Sequence, residues 1–361
     1  MKPLLLTSKC TGCGACVSKC KPGCIKLDYD ESGYYKAFNF EDNCNGCGHC
    51  KIVCPALHVK GDLAQRIIAF QHTDHEVLSR SASGGAFSVL AEEVLEQGGI
   101  VYGVCVTDDC RAEYRSIEKK DDLNCLRNSK YIDVNVGKIG MKLKQDADTG
   151  RPILFVGLPC TIAGMKRLVK GRTNILWVDL LCFGKPSELA WKKWVAGLGR
   201  ITQINFKDKR NGVSRWGISY RDESNQERFV ARNKCPPLVD WLAQKNLSKQ
   251  CIECPFHSFE RPGDISLGDF WGIEKYVPTL TEARIQKGIS MVLFNTSKGQ
   301  EFLPLFDKGK IYEASQPYDF AKFNGGLSPL PRETNGVKRV RKVRTPSWVK
   351  QIGKRICFWR K

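Results

Sequence analysis

The sequence predicts an α/β or α+β protein with three parts. A cysteine-rich N-terminal module of two repeated β-α-β-type halves leads into a mixed α/β core, and a basic, amphipathic tail follows. Three observations carry this prediction. The first 62 residues hold two cysteine runs of identical spacing. Helix-like and strand-like segments alternate from about residue 83 to residue 196. From Thr334 to Lys361 there are ten Lys or Arg and no Asp or Glu.

Cys10, Cys13, Cys16 and Cys20 form C-x2-C-x2-C-x3-C, and Cys44, Cys47, Cys50 and Cys54 repeat it 34 residues later. Paired runs of this kind are the pattern of two 4Fe-4S clusters of bacterial ferredoxin type, in which the fourth cysteine of each run serves the other cluster. On that rule Cys10, Cys13, Cys16 and Cys54 hold one cluster, and Cys44, Cys47, Cys50 and Cys20 hold the second. Glycines at 12, 14, 46 and 48 leave bare backbone beside the sulfurs. Pro55 follows the last ligand as the pattern expects, whereas Lys21 replaces the usual proline after Cys20. Zinc sites more often present two separated C-x2-C pairs, so zinc and disulfides fit less well. Residues 1–62 are therefore a ferredoxin-like module for single-electron transfer.

A connector around Gly61–His75 leads to the core, divided here into segments 63–150 and 151–333. Ser83–Gln97 has helical spacing, opened by Ser and closed by Gly98-Gly99. Ile100–Thr107 reads as a buried strand, Val136–Gln145 as helix and Pro152–Val156 as strand. Thr161–Val169 follows as helix, Asn174–Leu181 as strand and Ser187–Ala196 as helix. Such alternation predicts an at least partly parallel sheet. From Gln203 the pattern changes to short β segments, QINFKDK, WGISYRD and ERFVARN. A loop rich in Cys, Pro and Gly at 250–272 precedes a helix near Leu280–Lys287 and a strand at Ser290–Asn295.

The formal charge is +19. Each oxidised 4Fe-4S core with its four thiolates carries about −2, so three clusters would remove roughly six charges. No apolar run approaches the ~20 residues that span a bilayer. The start is too short in apolar residues for a signal peptide, and free thiols call for a reducing compartment, so the expected location is cytoplasmic. No recognition fold accompanies the basic charge, and nucleic acid is not an expected partner.

A third cysteine set lies in the core. Cys160 stands between a strand and a helix, where a thiolate meets the positive end of the helix dipole. Cys182 takes the equivalent place after the next strand, and adjacent parallel strands would bring both to one sheet edge. Cys251 and Cys254 form a C-x2-C pair. The residues alone leave packing, zinc and a cluster open for these four. Ser81, Ser83, Gly84 and Gly85 stand at a predicted helix start, which suits either a phosphate or a simple N-cap. A G-x-G-x-x-G fingerprint is absent.

The segments SASGGAF (81–87), SKY (129–131), GLPC (157–160), DLLCFG (179–184), CIECPF (251–256) and DISLGDFWG (264–272) occur in this order. Together they resemble the coenzyme F420 hydrogenase/dehydrogenase beta-subunit family, in the version with an N-terminal ferredoxin domain. The resemblance runs from Cys10 to roughly Gly326. It implies an iron–sulfur flavoprotein oxidoreductase, with Cys160, Cys182, Cys251 and Cys254 as ligands of a third 4Fe-4S cluster. FAD or another flavin is then expected near Ser81, Ser83, Gly84 and Gly85, with Lys130 and Tyr131 beside it. Coenzyme F420 is the implied organic substrate, and ferredoxin or a redox partner subunit the implied electron partner. Some members come from surface-polysaccharide gene neighbourhoods, which gives an alternative role there; a non-catalytic electron-transfer subunit is the other.

Asp269, between Gly268 and the aromatics Phe270 and Trp271, is a candidate catalytic residue or a turn-capping Asp. Cys160 is a second catalytic candidate. Family members often carry His after the second core cysteine and Gln after Pro-Cys; this chain has Phe183 and Thr161. His257 and Arg261 are alternatives for proton transfer, although an exposed, solvated pair is the plainer expectation. In the 334–361 tail, Trp348, Val349, Ile352, Ile356 and Trp359 recur near helical spacing among basic residues. Residues 337–361 are thus expected to lie on an anionic membrane surface, with an acidic protein partner or packing on the core as alternatives.

Overall fold

The computed structural model describes residues 2–3, 9–40, 44–312, 324 and 326–327. The expected membrane-binding helix at 337–361 lies outside the described residues. Two-residue β1 (Lys2–Pro3), β2 (Ile25–Tyr29) and β3 (Tyr35–Asn39) form a small antiparallel sheet in the order β1-β3-β2. Helices α1 (Ala15–Lys19) and α2 (His49–Ile52) each begin just after a left-handed glycine, Gly14 and Gly48. These are short helices between cysteines, as the repeated spacing requires.

The core is built on one eight-stranded sheet. Its strands are β5 (Arg66–His72), β6 (Ile100–Val106), β7 (Ala112–Ile117), β8 (Ile153–Gly157), β9 (Ile175–Leu180), β14 (Ile265–Asp269), β15 (Ser290–Phe294) and β16 (Gly309–Tyr312). Their order is β16-β5-β15-β14-β9-β8-β6-β7. The central pairs β6-β8, β8-β9 and β9-β14 are parallel, and the flanking pairs are antiparallel. Segments 63–150 and 151–333 thus share a single sheet. The expected connector at Gly61–His75 contains β4 (Asp62–Leu63), which pairs with β13 (Glu260–Arg261), and β5, an inner strand between β15 and β16. Its apolar run is brief, and only its distant neighbours in the sheet distinguish it from loop.

Both faces are covered, as a parallel centre requires. Leu154 and Val156 of β8 pack under α4 (Ala86–Glu96), beside α3 (His75–Arg80) and α5 (Leu123–Leu126) in the chain. Ile153 and Phe155 face α6 (Ile139–Asp148) and α7 (Pro159–Leu168). Each such fully buried side chain contributes about 1.5–3 kcal/mol of transfer free energy. A separate antiparallel sheet, β10 (Ile201–Asp208), β11 (Gly217–Asp222) and β12 (Glu227–Ala231), packs with α8 (Glu188–Ala196) and α9 (Pro236–Leu242) around Trp191, Phe206, Trp216 and Trp241. Helix α10 (Lys249–Ile252) carries Cys251.

The N-terminal module seats α1 on α6 and α7. Two helical glycines permit this close approach: a Cβ on Gly140 would meet Ser18 Oγ at 2.6 Å, and one on Gly164 would meet Ala15 Cβ at 3.1 Å. Polar ties fix the seat. Arg167 Nε donates to the Ile52 carbonyl at 2.9 Å, Ser187 Oγ to that of Ser32 at 2.8 Å, and Lys36 Nζ to Ser248 Oγ at 3.4 Å. Among the described residues no helix is long and apolar enough to cross a membrane.

Candidate redox site

The parallel strands β8, β9 and β14 end at one edge of the sheet, where α/β proteins commonly build their sites. Cys160 follows β8 as the second residue of α7, Cys182 follows β9, and Asp269 ends β14. Alpha-10 brings Cys251 to the same edge, with Cys254 just beyond it. Burial raises the Cys182 thiol pKa well above its ordinary value, and Cys251, Cys160 and Cys254 reinforce the rise. Burial pushes Cys251 up to about 11 and Cys254 up to about 12, Cys160 adding to both. So the four cysteines form one close group, Cys160 buried and the other three partly buried. Ionising four crowded thiols is costly unless a cationic core stands among them, which is the donor set a 4Fe-4S cluster requires.

In the ferredoxin-like module, Cys54 stands among the cysteines of the first run and Cys20 stands beside Cys50. Burial drives Cys13 up to about 12, with Cys10, Cys160 and Cys54 as its like-charged neighbours. Burial also raises Cys16, surrounded by Cys13, Cys10 and Cys54. At the other end, burial raises Cys50, which has Cys20 and Cys47 beside it. The described residues contain no group of three or more His, Cys, Asp or Glu side chains set around a single ion. A cubane binds each thiolate through its own iron, so its ligands stand further apart than those of one ion. A thiol outside the spacing pattern, Cys24, is buried with its Sγ 3.2 Å from that of Cys20.

The three cysteine groups are ordered in space. Cys13 and Cys160 are electrostatic neighbours, and the absent side chain of Gly164 leaves the gap that Cys13 occupies. Cys44 and Cys47 lie exposed at the far end. Lys185 is a buried cation between the inner groups. Its Nζ pairs with Asp133 at 2.8 Å, its backbone N–H donates to Cys251 Sγ at 3.4 Å, and Asp133 accepts from the Tyr35 N–H at 3.1 Å.

Cys182 also lines a cavity of about 520 Å³. Tyr131 stacks on Trp216 with ring centroids 5.0 Å apart and tilts against Trp241 at 5.0 Å. Lys207 is buried there, its Nζ 2.6 Å from Asp269 Oδ2 and 5.8 Å from the centre of the Trp271 ring. Asp269 Oδ1 is buried with no hydrogen-bond partner. Asp269 therefore faces a cavity from a strand end and caps no turn. Burial lowers the Lys207 pKa, but Asp269 and Tyr131 outweigh it, leaving the ammonium held above its ordinary range.

Ser81, Ser83 and Gly85 line the same cavity, while the two serine hydroxyls bond the chain's own backbone. Ser81 Oγ donates to the Val77 carbonyl at 2.7 Å, and Ser83 Oγ to the Ile289 carbonyl at 2.8 Å. Gly84 serves strand packing, since a Cβ there would meet the Phe70 carbonyl oxygen at 2.1 Å. Gly85, at φ 89°, opens α4 with no side-chain cap, so the helix start on the cavity wall is left to backbone N–H groups. Lys130 lines the same cavity but spends its ammonium on the carbonyls of Cys125, Leu126, Arg127 and Asn128 at 2.5–3.2 Å. It holds the wall rather than presenting a free charge.

The expected solvated pair is also corrected. His257 is 4% exposed and Arg261 is 0% exposed. Arg261 Nε donates to Asp179 Oδ1 at 3.0 Å and Nη1 to the Phe256 carbonyl at 2.7 Å, clamping the loop after Cys254 onto β9. His257 has both ring nitrogens without a hydrogen-bond partner, and burial followed by Arg261 pulls its pKa down to about 4.

Lys207, Lys185 and Trp216 carry no sequence signal of their own. Beta-10 is irregular in register between Asn205 and Asp208, and there Phe206 and Lys207 are both buried. A bulge of this kind turns consecutive side chains inward and defeats a period-two reading.

Family models match three stretches. The model for the N-terminal part of the coenzyme F420 hydrogenase/dehydrogenase beta subunit matches residues 67–139, and the model for the C-terminal part of the same protein matches 150–319. The chain belongs to the coenzyme F420 hydrogenase/dehydrogenase beta-subunit family. A 4Fe-4S dicluster domain matches residues 9–57. Coenzyme F420-dependent sulfite reductase of Methanocaldococcus jannaschii is 23% identical over 310 residues, 81% of this chain and 45% of that protein. Pyruvate synthase subunit PorD of Thermotoga maritima is 42% identical over 55 residues, 15% of this chain and 52% of that protein. The chain thus spans about half the length of the curated relatives it matches. A chain of the F420-reducing [NiFe] hydrogenase complex from Methanosarcina barkeri aligns with TM-score 0.48 and 16% identity, over 70% of this chain and 82% of that one.

Proposed function

We propose that this family member is an iron–sulfur flavoprotein oxidoreductase, passing electrons between an organic hydride carrier and ferredoxin-type clusters. One observation carries the reading: Cys182 belongs to the inner cysteine set and also lines the aromatic cavity. A redox group in that cavity would stand beside a cluster, with the groups of Cys13 and then Cys50 leading outward.

The cavity fits a flavin: aromatic walls, an uncapped helix start and an unpartnered buried carboxylate oxygen. When bound, flavin supplies hydride exchange on one side and single-electron exchange on the other. The chain's own residues bind and orient. Tyr131 and Trp216 offer faces for stacking, the start of α4 suits a phosphate, and Lys207 holds a proton at Nζ against Asp269. FAD is our choice among flavins. The likeness to a coenzyme F420-dependent sulfite reductase supports coenzyme F420 as the hydride carrier, and a ferredoxin or redox subunit is the proposed outer partner.

The test is anaerobic purification with iron, sulfide and flavin measured. About twelve irons and one flavin per chain are expected, at four irons per cluster. About eight irons without flavin would leave a plain ferredoxin-type relay and sink the reading.

We also propose that residues 337–361 bind an anionic membrane surface from the cytoplasmic side. Flotation with phosphatidylserine vesicles should depend on them; equal flotation of a chain ending at residue 336 ends that proposal.

A further inference from the structure

The outer end of the cysteine series has an unusual surface. Of the nine large apolar side chains exposed among the described residues, four fall within a stretch of twelve: Ile52 57%, Leu57 42%, Val59 49% and Leu63 38%. This stretch begins beside Cys50 and runs past Cys54. Arg167 bonds the Ile52 carbonyl through Nε at 2.9 Å and Nη2 at 2.6 Å, which anchors α2 to the core by its backbone and leaves the Ile52 side chain outward. Cys44 and Cys47 are exposed next to it, and a Cβ on Gly46 or Gly48 would meet nothing within 4 Å. The thiols meant for the second cluster therefore open directly onto this face.

Its charge is mainly basic. Cys44–Leu63 contains Lys51, Lys60, His49 and His58 against one acidic residue, the exposed Asp62, and Lys9–Cys24 contains Lys9, Lys19 and Lys21 and no acidic residue. Lys21, Lys51 and Lys60 are exposed. Exposed apolar residues in a mainly basic stretch favour an acidic protein partner, through steering by charge and desolvation of the apolar contact. The chain's own C-terminal segment is of the same sign, with ten Lys or Arg and no acid from Thr334 onward, so like charge opposes it as occupant.

We propose that this face, Ile52, Leu57 and Val59 with Lys51 and Lys60, docks a small acidic one-electron carrier protein. The proposal rests on the electron-transfer reading above. A cluster held by Cys44, Cys47, Cys50 and Cys20 would supply one electron per encounter to the carrier, with no proton or bond exchanged. The patch suits a transient complex at the small end of interface sizes.

The test uses the full cluster-loaded chain, reduced with dithionite and freed of excess reductant. It is mixed in a stopped-flow instrument with an oxidised acidic two-cluster ferredoxin, and separately with methyl viologen, which needs no docking surface. The ferredoxin rate should fall steeply between low and high salt, and about tenfold or more in Lys51→Glu, Lys60→Glu and Leu57→Glu. Dye reduction should stay within about twofold. Should a charge reversal disturb the cluster, Lys51→Gln and Leu57→Gln are read in its place. Unchanged ferredoxin rates in these variants, or equal losses with ferredoxin and dye in all of them, overturn the docking surface. Wild-type chain that cannot reduce the dye at all indicts the electron path itself, separating the two failures. Loss of the ferredoxin effect together with binding of the patch to phosphatidylserine vesicles would assign the face to a membrane instead.

Discussion

A Cβ placed on Gly164 would stand 2.9 Å from the Sγ of Cys13. Gly164 lies one turn after Cys160 on α7, so the helix that carries Cys160 is hollowed to admit Cys13. That contact seats the ferredoxin-like module against the core. It also lends itself to a one-atom test. Gly164→Ala should cost about 1–3 kcal/mol through overpacking, despite alanine's better helix propensity. A lowered thermal midpoint of the anaerobic holoprotein, together with slower passage of electrons from core to outer clusters, is expected. A midpoint equal to wild type or higher refutes the contact.

Cys254→Ser should remove about four irons from the loaded chain and leave the ferredoxin-type signals in the electron paramagnetic resonance spectrum, since one cubane carries four irons. Cys16→Ser should do the reverse, weakening the outer pair while the core cluster and any flavin absorbance persist. Identical iron losses and spectra in the two variants would show that the cysteine sets are not separate.

Lys207 and Asp269 should couple strongly. Leaving one charge of a buried pair without the other costs about 3–5 kcal/mol, whereas replacing both can be nearly neutral. Asp269 is partly accessible, its side chain 19% exposed, so a value at or below the lower end is expected. Thermal unfolding of Lys207→Met, Asp269→Leu and the double variant forms the cycle; additive losses would contradict the pairing. The Lys207 pKa is raised because Asp269 and Tyr131 outweigh burial, so the pair's contribution is full below the ordinary lysine pKa. It should fade only as pH climbs through the raised value, well into the alkaline range.

Lys209 should behave in the opposite sense. Its Nζ donates to the Ser83 carbonyl at 2.7 Å and the Lys287 carbonyl at 2.5 Å, on the wall of an open cleft of about 860 Å³ beside α3. Burial, with Lys207 adding, pulls its pKa down to about 7. Between about 7 and the usual lysine value the unfolded chain binds more protons than the folded one, so stability rises with pH across that window. Lys209→Met should flatten this slope when unfolding is compared at pH 7 and pH 9. A slope unchanged by the substitution rules Lys209 out as its source.

The alternating segments from residue 83 to 196 were legible because period and capping are local. The expected strand Pro152–Val156 and helix Thr161–Val169 are found as Ile153–Gly157 and Pro159–Leu168. Beta-5 was not legible: Arg66–His72 becomes an inner strand only through β15 and β16, more than 200 residues away. Lys207 was hidden by the irregular register of β10, and the burial of Arg261 by its partner Asp179, 82 residues earlier.

The sequence by itself determined the chemistry of the ferredoxin-like module, because cluster ligation is written in the spacing of Cys10 to Cys20 and Cys44 to Cys54. It also determined the family, through short segments in a fixed order. Only the tertiary structure decided which thiols stand next to one another, since Cys13 meets α7 by a helix-on-helix contact that no local pattern encodes. The same holds for what faces the cavity. Lys130, which the resemblance put beside the flavin, is held by backbone carbonyls, while Lys207, unmarked in the chain, is the buried cation at Asp269. Ligand type follows from residue identity and spacing; electrostatic role follows from burial and partners, which are properties of the folded chain.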